Sequence, residues 1–121
     1  MTLLEFIKLH GQHYPYSENY ATEQMAQKEC YKNSYHKMQE GYEYWEGYVW
    51  YDDYPELKYP HAWNVKNGKL YDFTHIEDKV GHYVGIHVED TLVHERAYQT
   101  GIYGAFNQGW DWYNETQKET T

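Results

Sequence analysis

Along the first ten residues, Leu3, Leu4 and Ile7 fall on one face at helical spacing. They predict a short helix that Gly11 stops. Thr2 and Glu5 have the spacing of a capping box, in which each side chain satisfies the other's backbone donor. Residues 12–21, with Pro15 and several tyrosines, read as a loop. Thr22 can cap a second helical stretch. In it Tyr31, Ser34, Tyr35 and Met38 recur at helical spacing, and Gly41 terminates it. The period then changes. Tyr44–Tyr51 is aromatic and β-prone and predicts a strand, followed by a loop over 52–60 with two prolines. His61–Lys66 and Lys69–Thr74 flank Asn67-Gly68, the strongest short hairpin signal there is. Residues 75–81 connect to a further strand, His82–Val88. Asp90 can cap a helix through about Tyr98. An irregular, glycine-punctuated segment follows, with a polar tail from Asn114 that is expected to fray.

These elements predict an α+β fold of one domain over residues 1–121, with short N-terminal helices on a small antiparallel sheet. The hairpin also carries a chemical expectation. A two-residue loop pairs Lys66 with Lys69, Val65 with Leu70 and Asn64 with Tyr71. Trp63 then faces Asp72, and His61 faces Thr74. Strand alternation puts His61, Trp63, Val65, Leu70, Asp72 and Thr74 on one face. His61 and Asp72 are then diagonal neighbours with Cα atoms roughly 7–8 Å apart, a gap that side chains close. A carboxylate held against an imidazole fixes its tautomer and stabilises its protonated form.

Composition narrows the function classes. The chain has 16 Tyr and 5 Trp, and aromatic residues make up 20% of it, so rings must supply packing that Leu and Val would ordinarily provide. Core packing explains that excess better than sugar or base stacking. Ten basic against nineteen acidic residues give a net charge of −9. Such a field repels phosphate backbones and acidic membrane surfaces, so neither nucleic acid nor membrane is an expected partner. No run of apolar residues is long enough for a transmembrane helix, and the N-terminus lacks the pattern of a signal peptide. The single cysteine excludes an internal disulfide and suits a reducing, cytoplasmic compartment. His82 and His87 have opposite parity on their strand, and no closed metal site or other cofactor is expected.

That cysteine, Cys30, is the candidate nucleophile. A thiol is activated when an imidazolium or a helix N-terminus stabilises its thiolate. This requires the helix to break near Lys28 or Glu29, so that Cys30 stands at its head.

The stretches Cys30-Tyr-Lys-Asn-Ser, His61-Ala-Trp-Asn-Val and Gly68-Lys-Leu-Tyr-Asp72-Phe-Thr74 resemble the transglutaminase-like and papain-like cysteine enzymes, in particular small phage-type members. The order Cys, His, Asp is the same, and the likeness covers roughly residues 22–88. The resemblance implies Cys30 as nucleophile, His61 as base and Asp72 as orienter. It also implies that Gln24 contributes to an oxyanion hole, and that the fold has a papain-like core. The implied activity is acyl transfer on an amide, isopeptide or thioester of a protein or peptide, by hydrolysis or transfer. A phage accessory or anti-defence role in host cytoplasm would follow. The rival expectation is an acidic binding protein that inhibits a host protein by stoichiometric contact, with an idle triad. A thiol exposed within reach of His61 favours the enzyme; a buried, unpaired thiol favours the binder.

Overall fold

The computed structural model describes residues 1–76 and 80–119. Helix α1 (Leu3–His10) forms where the capping box predicts it. The Thr2 hydroxyl accepts the Glu5 N–H at 3.2 Å, and the Glu5 carboxylate accepts the Thr2 N–H at 3.4 Å. The segment read as a loop is instead mostly strand β1 (Gln12–Glu18), which pairs with β5 (Val80–Val88). Its proline is tolerated because β1 lies at the sheet edge and its register shifts between Tyr14 and Ser17.

Helix α2 (Cys30–Met38) begins seven residues later than a cap at Thr22 predicts. Lys28 adopts φ 65°, a left-handed conformation that no helix interior accommodates. The preceding loop spends its polar groups elsewhere. The Met25 N–H donates to the Phe73 carbonyl at 2.9 Å, and the Asn33 amide donates to the Ala26 carbonyl at 2.7 Å. Tertiary hydrogen bonds thus replace the helical ladder that local spacing favours.

Strands β2 (Glu43–Trp50), β3 (Tyr59–Lys66) and β4 (Lys69–Tyr71) join β1 and β5 in a curled antiparallel sheet of order β1-β5-β2-β3-β4. The hairpin register is the expected one: Lys66 with Lys69, Val65 with Leu70 and Asn64 with Tyr71. The ladder ends at Tyr71, so the expected pairings of Trp63 with Asp72 and of His61 with Thr74 do not form. The first half of β3 therefore has a strand partner on its β2 side alone. The connection expected over 75–81 falls partly, at 77–79, outside the described residues.

Helix α3 (Asp90–Thr100) follows β5, with Glu89 rather than Asp90 at the cap. The expected irregular end is a helix, α4 (Trp110–Glu119), which runs through the polar stretch predicted to fray. Its anchor is aromatic: Trp110 and Tyr113, three apart and so on one face, stack around Phe6 and Phe106. No helix among the described residues is long and apolar enough to cross a membrane.

Two cores sit on opposite faces of the sheet. The helices cover one, around Ile7, Tyr44, Ala62, Val88 and Val93. The other contains Trp45, Trp63, Val65, Leu70 and Tyr83. Gly85 makes this second core possible. A Cβ there would lie 2.5 Å from the Trp63 ring, so only glycine lets the indole lie over β5.

Candidate active site

His61 and Asp72 meet even though their strands do not pair at that level. His61 Nε2 lies 2.8 Å from Asp72 Oδ2, and both side chains are buried. Asp72 ends the ladder itself. Its backbone N–H donates to Asn19 Oδ1 at 2.8 Å instead of to β3. Its Oδ1 accepts the N–H groups of Thr74 and His75 at 3.2 and 3.3 Å, which turns the chain away from the sheet. The Tyr83 hydroxyl donates to Asp72 Oδ2 at 2.7 Å. Every polar atom of this aspartate is therefore engaged, as a buried carboxylate requires.

The early end of β4 leaves the edge of β3 open beside His61. The head of α2 reaches His61 there. Cys30 is the first residue of that helix, half-buried, and lies close enough to the His61 ring to raise its basicity. The helix break required near Lys28 or Glu29 is thus present at Lys28. The Glu29 cap makes no side-chain bond to the first turn, so the leading amide N–H groups have no such partner.

The electrostatics follow from this packing. Burial disfavours charge on His61, but the Asp72 carboxylate, the bond to it and the nearby Cys30 thiol outweigh it and raise the imidazole to about 10. Burial likewise opposes ionisation of Asp72, yet His61 and the Tyr83 hydroxyl hold its carboxyl below the usual range. The pair is therefore an imidazolium and a carboxylate at neutral pH.

Gln24 has different work from that implied by the resemblance. Its amide donates to the Met25 and Thr74 carbonyls at 2.6 and 2.9 Å, and its Oε1 accepts the Ile76 N–H at 3.2 Å. Both donor hydrogens are committed to the loops, so Gln24 is not free to hold an oxyanion.

Three contributors were not singled out from the sequence. Asn19 is buried and braces the Asp72 loop from both sides, donating to the Asp72 and His75 carbonyls at 2.9 and 3.2 Å. Its only local signal is an Asx turn to Ala21. Tyr83 is one of many tyrosines, and nothing local marks it. Glu46 has a legible signal, a lone acid in an aromatic strand at the parity of Tyr44 and Tyr48. It is buried on the helical face. It accepts the Tyr44 hydroxyl at 2.9 Å, the Phe106 N–H at 3.0 Å and the Ala105 N–H. Burial raises its carboxyl to about 7 against these donors and the nearby Arg96.

Among the described residues, no three His, Cys, Asp or Glu side chains group to hold a metal ion. No protein-family model, curated protein or solved structure matches this chain.

Proposed function

We propose that the chain is a cysteine-dependent acyl-transfer enzyme with the triad Cys30, His61 and Asp72. One observation carries the reading: a thiol at the head of a helix lies close to an imidazole whose Nε2 is held by a buried, fully engaged carboxylate. Resemblance to papain-like and transglutaminase-like enzymes points the same way. A partly exposed thiol near the ring also favours an enzyme over a stoichiometric binding protein.

In this mechanism the Cys30 thiolate, paired with the His61 imidazolium, attacks an amide, isopeptide or thioester carbonyl. The C–S bond forms and the carbonyl electrons move to oxygen, where the Cys30 backbone N–H stabilises the developing charge. As the tetrahedral intermediate collapses, His61 gives its proton to the leaving group and the bond to that group breaks. Neutral His61 then takes a proton from water or an incoming amine, which attacks the acyl-enzyme and releases the thiolate. Asp72 keeps the ring oriented throughout. A protein or peptide acting as substrate in a cytoplasm, including that of a phage host, fits this chemistry.

The test is alkylation of Cys30 by iodoacetamide across pH. An unassisted thiol loses reactivity below its pKa of about 8.5. The wild-type rate should persist well below that value, and His61→Ala should restore the ordinary profile. A wild-type profile that already follows the ordinary curve, or one indifferent to His61→Ala, would sink the proposal.

A further inference from the structure

A cavity of about 260 Å³ lies outside the site described above, lined by Lys8, Gly11, His13, Trp50, Lys58 and Val84. Neither Cys30, His61 nor Asp72 lines it. Three adjoining strands and two flanking segments build it. His13 of β1 and Val84 of β5 are register partners, and Trp50 ends β2 on the other side of β5. Gly11 passes the chain from α1 into β1, which brings Lys8 to the same cavity. Lys58 arrives from the loop that precedes β3.

The lining is cationic. Among the described residues no acidic side chain lines the cavity, and neither Lys8 nor Lys58 forms an ion pair. With 19 acidic residues against 10 basic ones, two lysines that share a cavity without an acid run against the composition. Lys58 is also held in place. Its Nζ lies 4.8 Å from the centre of the Trp50 ring and donates to the Pro55 carbonyl, which leaves two of its three hydrogens. Trp50 is fixed in turn by stacking on His82, with ring centres 5.2 Å apart and planes 6° apart, and on His13 at 5.4 Å. Asp52, the acid nearest to Trp50 in sequence, is drawn to another partner: its Oδ1 meets His82 Nε2 at 2.7 Å.

We propose that this cavity binds a phosphomonoester group. Lys8, Lys58 and the ring N–H of His13 offer donors from three separate elements, and a phosphoryl dianion presents three acceptor oxygens. A carboxylate carries one charge and would balance only one of the two lysines. The apolar walls, Trp50 and Val84, take the first carbons of the ester. The volume lies below the roughly 300–1,000 Å³ of ordinary ligand pockets, so the phosphoryl group and a few carbons fill it. The overall charge of −9 repels a long phosphate backbone, whereas a single phosphoryl group meets the two lysines at close range. This site is independent of the role of Cys30.

Binding is read on the full chain from the amide NMR shifts of Gly11, His13 and Val84, at neutral pH and constant ionic strength. Inorganic phosphate and glycerol 2-phosphate should each shift these amides saturably, with Kd near or below about 1 mM, the affinity that two charge-assisted hydrogen bonds supply. Acetate should bind at least about tenfold more weakly. Lys58→Gln should weaken phosphate binding about tenfold. Should that variant melt early, Lys8→Glu, at an exposed position where substitution costs the fold little, carries the test and should abolish binding. A phosphoserine peptide shares the chemistry. Binding at least about tenfold tighter than glycerol 2-phosphate identifies a phosphorylated protein as the source, and equal affinity a small metabolite; both outcomes support the site. No saturation by about 10 mM phosphate, acetate binding as tightly as phosphate, or shifts that survive Lys8→Glu would overturn the proposal.

Discussion

The two faces of the sheet each bury an acid, and they use it differently. On the tryptophan face, Asp72 pairs directly with His61, eleven residues away across one hairpin. On the helical face, Glu46 reaches residues 59 and 60 positions away, Ala105 and Phe106, and takes backbone donors rather than a partner charge. The first arrangement holds a ring in one orientation with one proton. The second pins a distant loop, and among the described residues it forms no ion pair. A buried acid bonded to a cation and a buried acid bonded to neutral donors, with Arg96 acting only from a distance, differ in how much they resist protonation, which is why one carboxyl is lowered and the other raised.

The comparison breaks most sharply at Asp72. Asp72→Ala should cost about 3–5 kcal/mol in urea unfolding, because it strands a buried imidazolium along with the donors of Tyr83, Thr74 and His75. On the opposite face, Gly104→Ala should cost about 2–3 kcal/mol. Gly104 has φ 99°, and a Cβ there would lie 2.7 Å from Glu46 Oε1. A loss under about 1 kcal/mol at either site would mean that the surrounding bonds are weaker than their geometry implies.

Acidity sharpens the contrast further. His61 is raised from 6.5 to about 10, so its contribution is complete below 6.5 and is lost as pH rises to 10. Asp72 is lowered, so its contribution is present above 3.8 and is lost as pH falls through the depressed value. Glu46 is raised from 4.5 to about 7, so the fold prefers it protonated and loses stability as pH climbs from 4.5 to 7. Urea midpoints should therefore decline from about pH 5 upwards. His61→Ala should flatten the limb above 6.5, and Glu46→Gln the limb between 4.5 and 7. A wild-type profile flat from 5 to 9 would contradict both assignments.

Asn19→Ala is the next step down, about 1–3 kcal/mol, from losing the bonds that brace the Asp72 loop. It should also weaken the low-pH alkylation of Cys30, which a purely structural loss at a remote site would leave alone. The smallest effect belongs to Gly68→Ala. Its φ of 76° strains an L residue, but a Cβ there meets nothing within 4 Å, so about 1 kcal/mol is expected from the melting curve. A much larger loss would show that the hairpin turn itself governs the site.

The local signals were sufficient wherever the physics is local. A capping box is closed by residues three apart, and α1 follows from it. Asn67-Gly68 can only turn one way between β-prone runs, so the register of the hairpin follows as far as Tyr71. The α+β class was legible in the change from helical to strand periodicity. Strand β1 was not, because a proline at a sheet edge loses no ladder bond, and only the presence of β5 makes it an edge. Helix α4 was not, because Trp110 and Tyr113 count as an apolar face only once Phe6 and Phe106 stand opposite. The same holds at the site. Spacing alone starts the second helix near Thr22, and what starts it at Cys30 is a pair of hydrogen bonds, from the Met25 N–H to the Phe73 carbonyl and from the Asn33 amide to the Ala26 carbonyl. The sequence by itself determined the elements whose stabilising partners lie within a few residues. The tertiary structure decided whether Asp72 ends its strand, whether Glu46 is buried, and whether the thiol meets the ring, since each depends on donors that the chain supplies from tens of residues away.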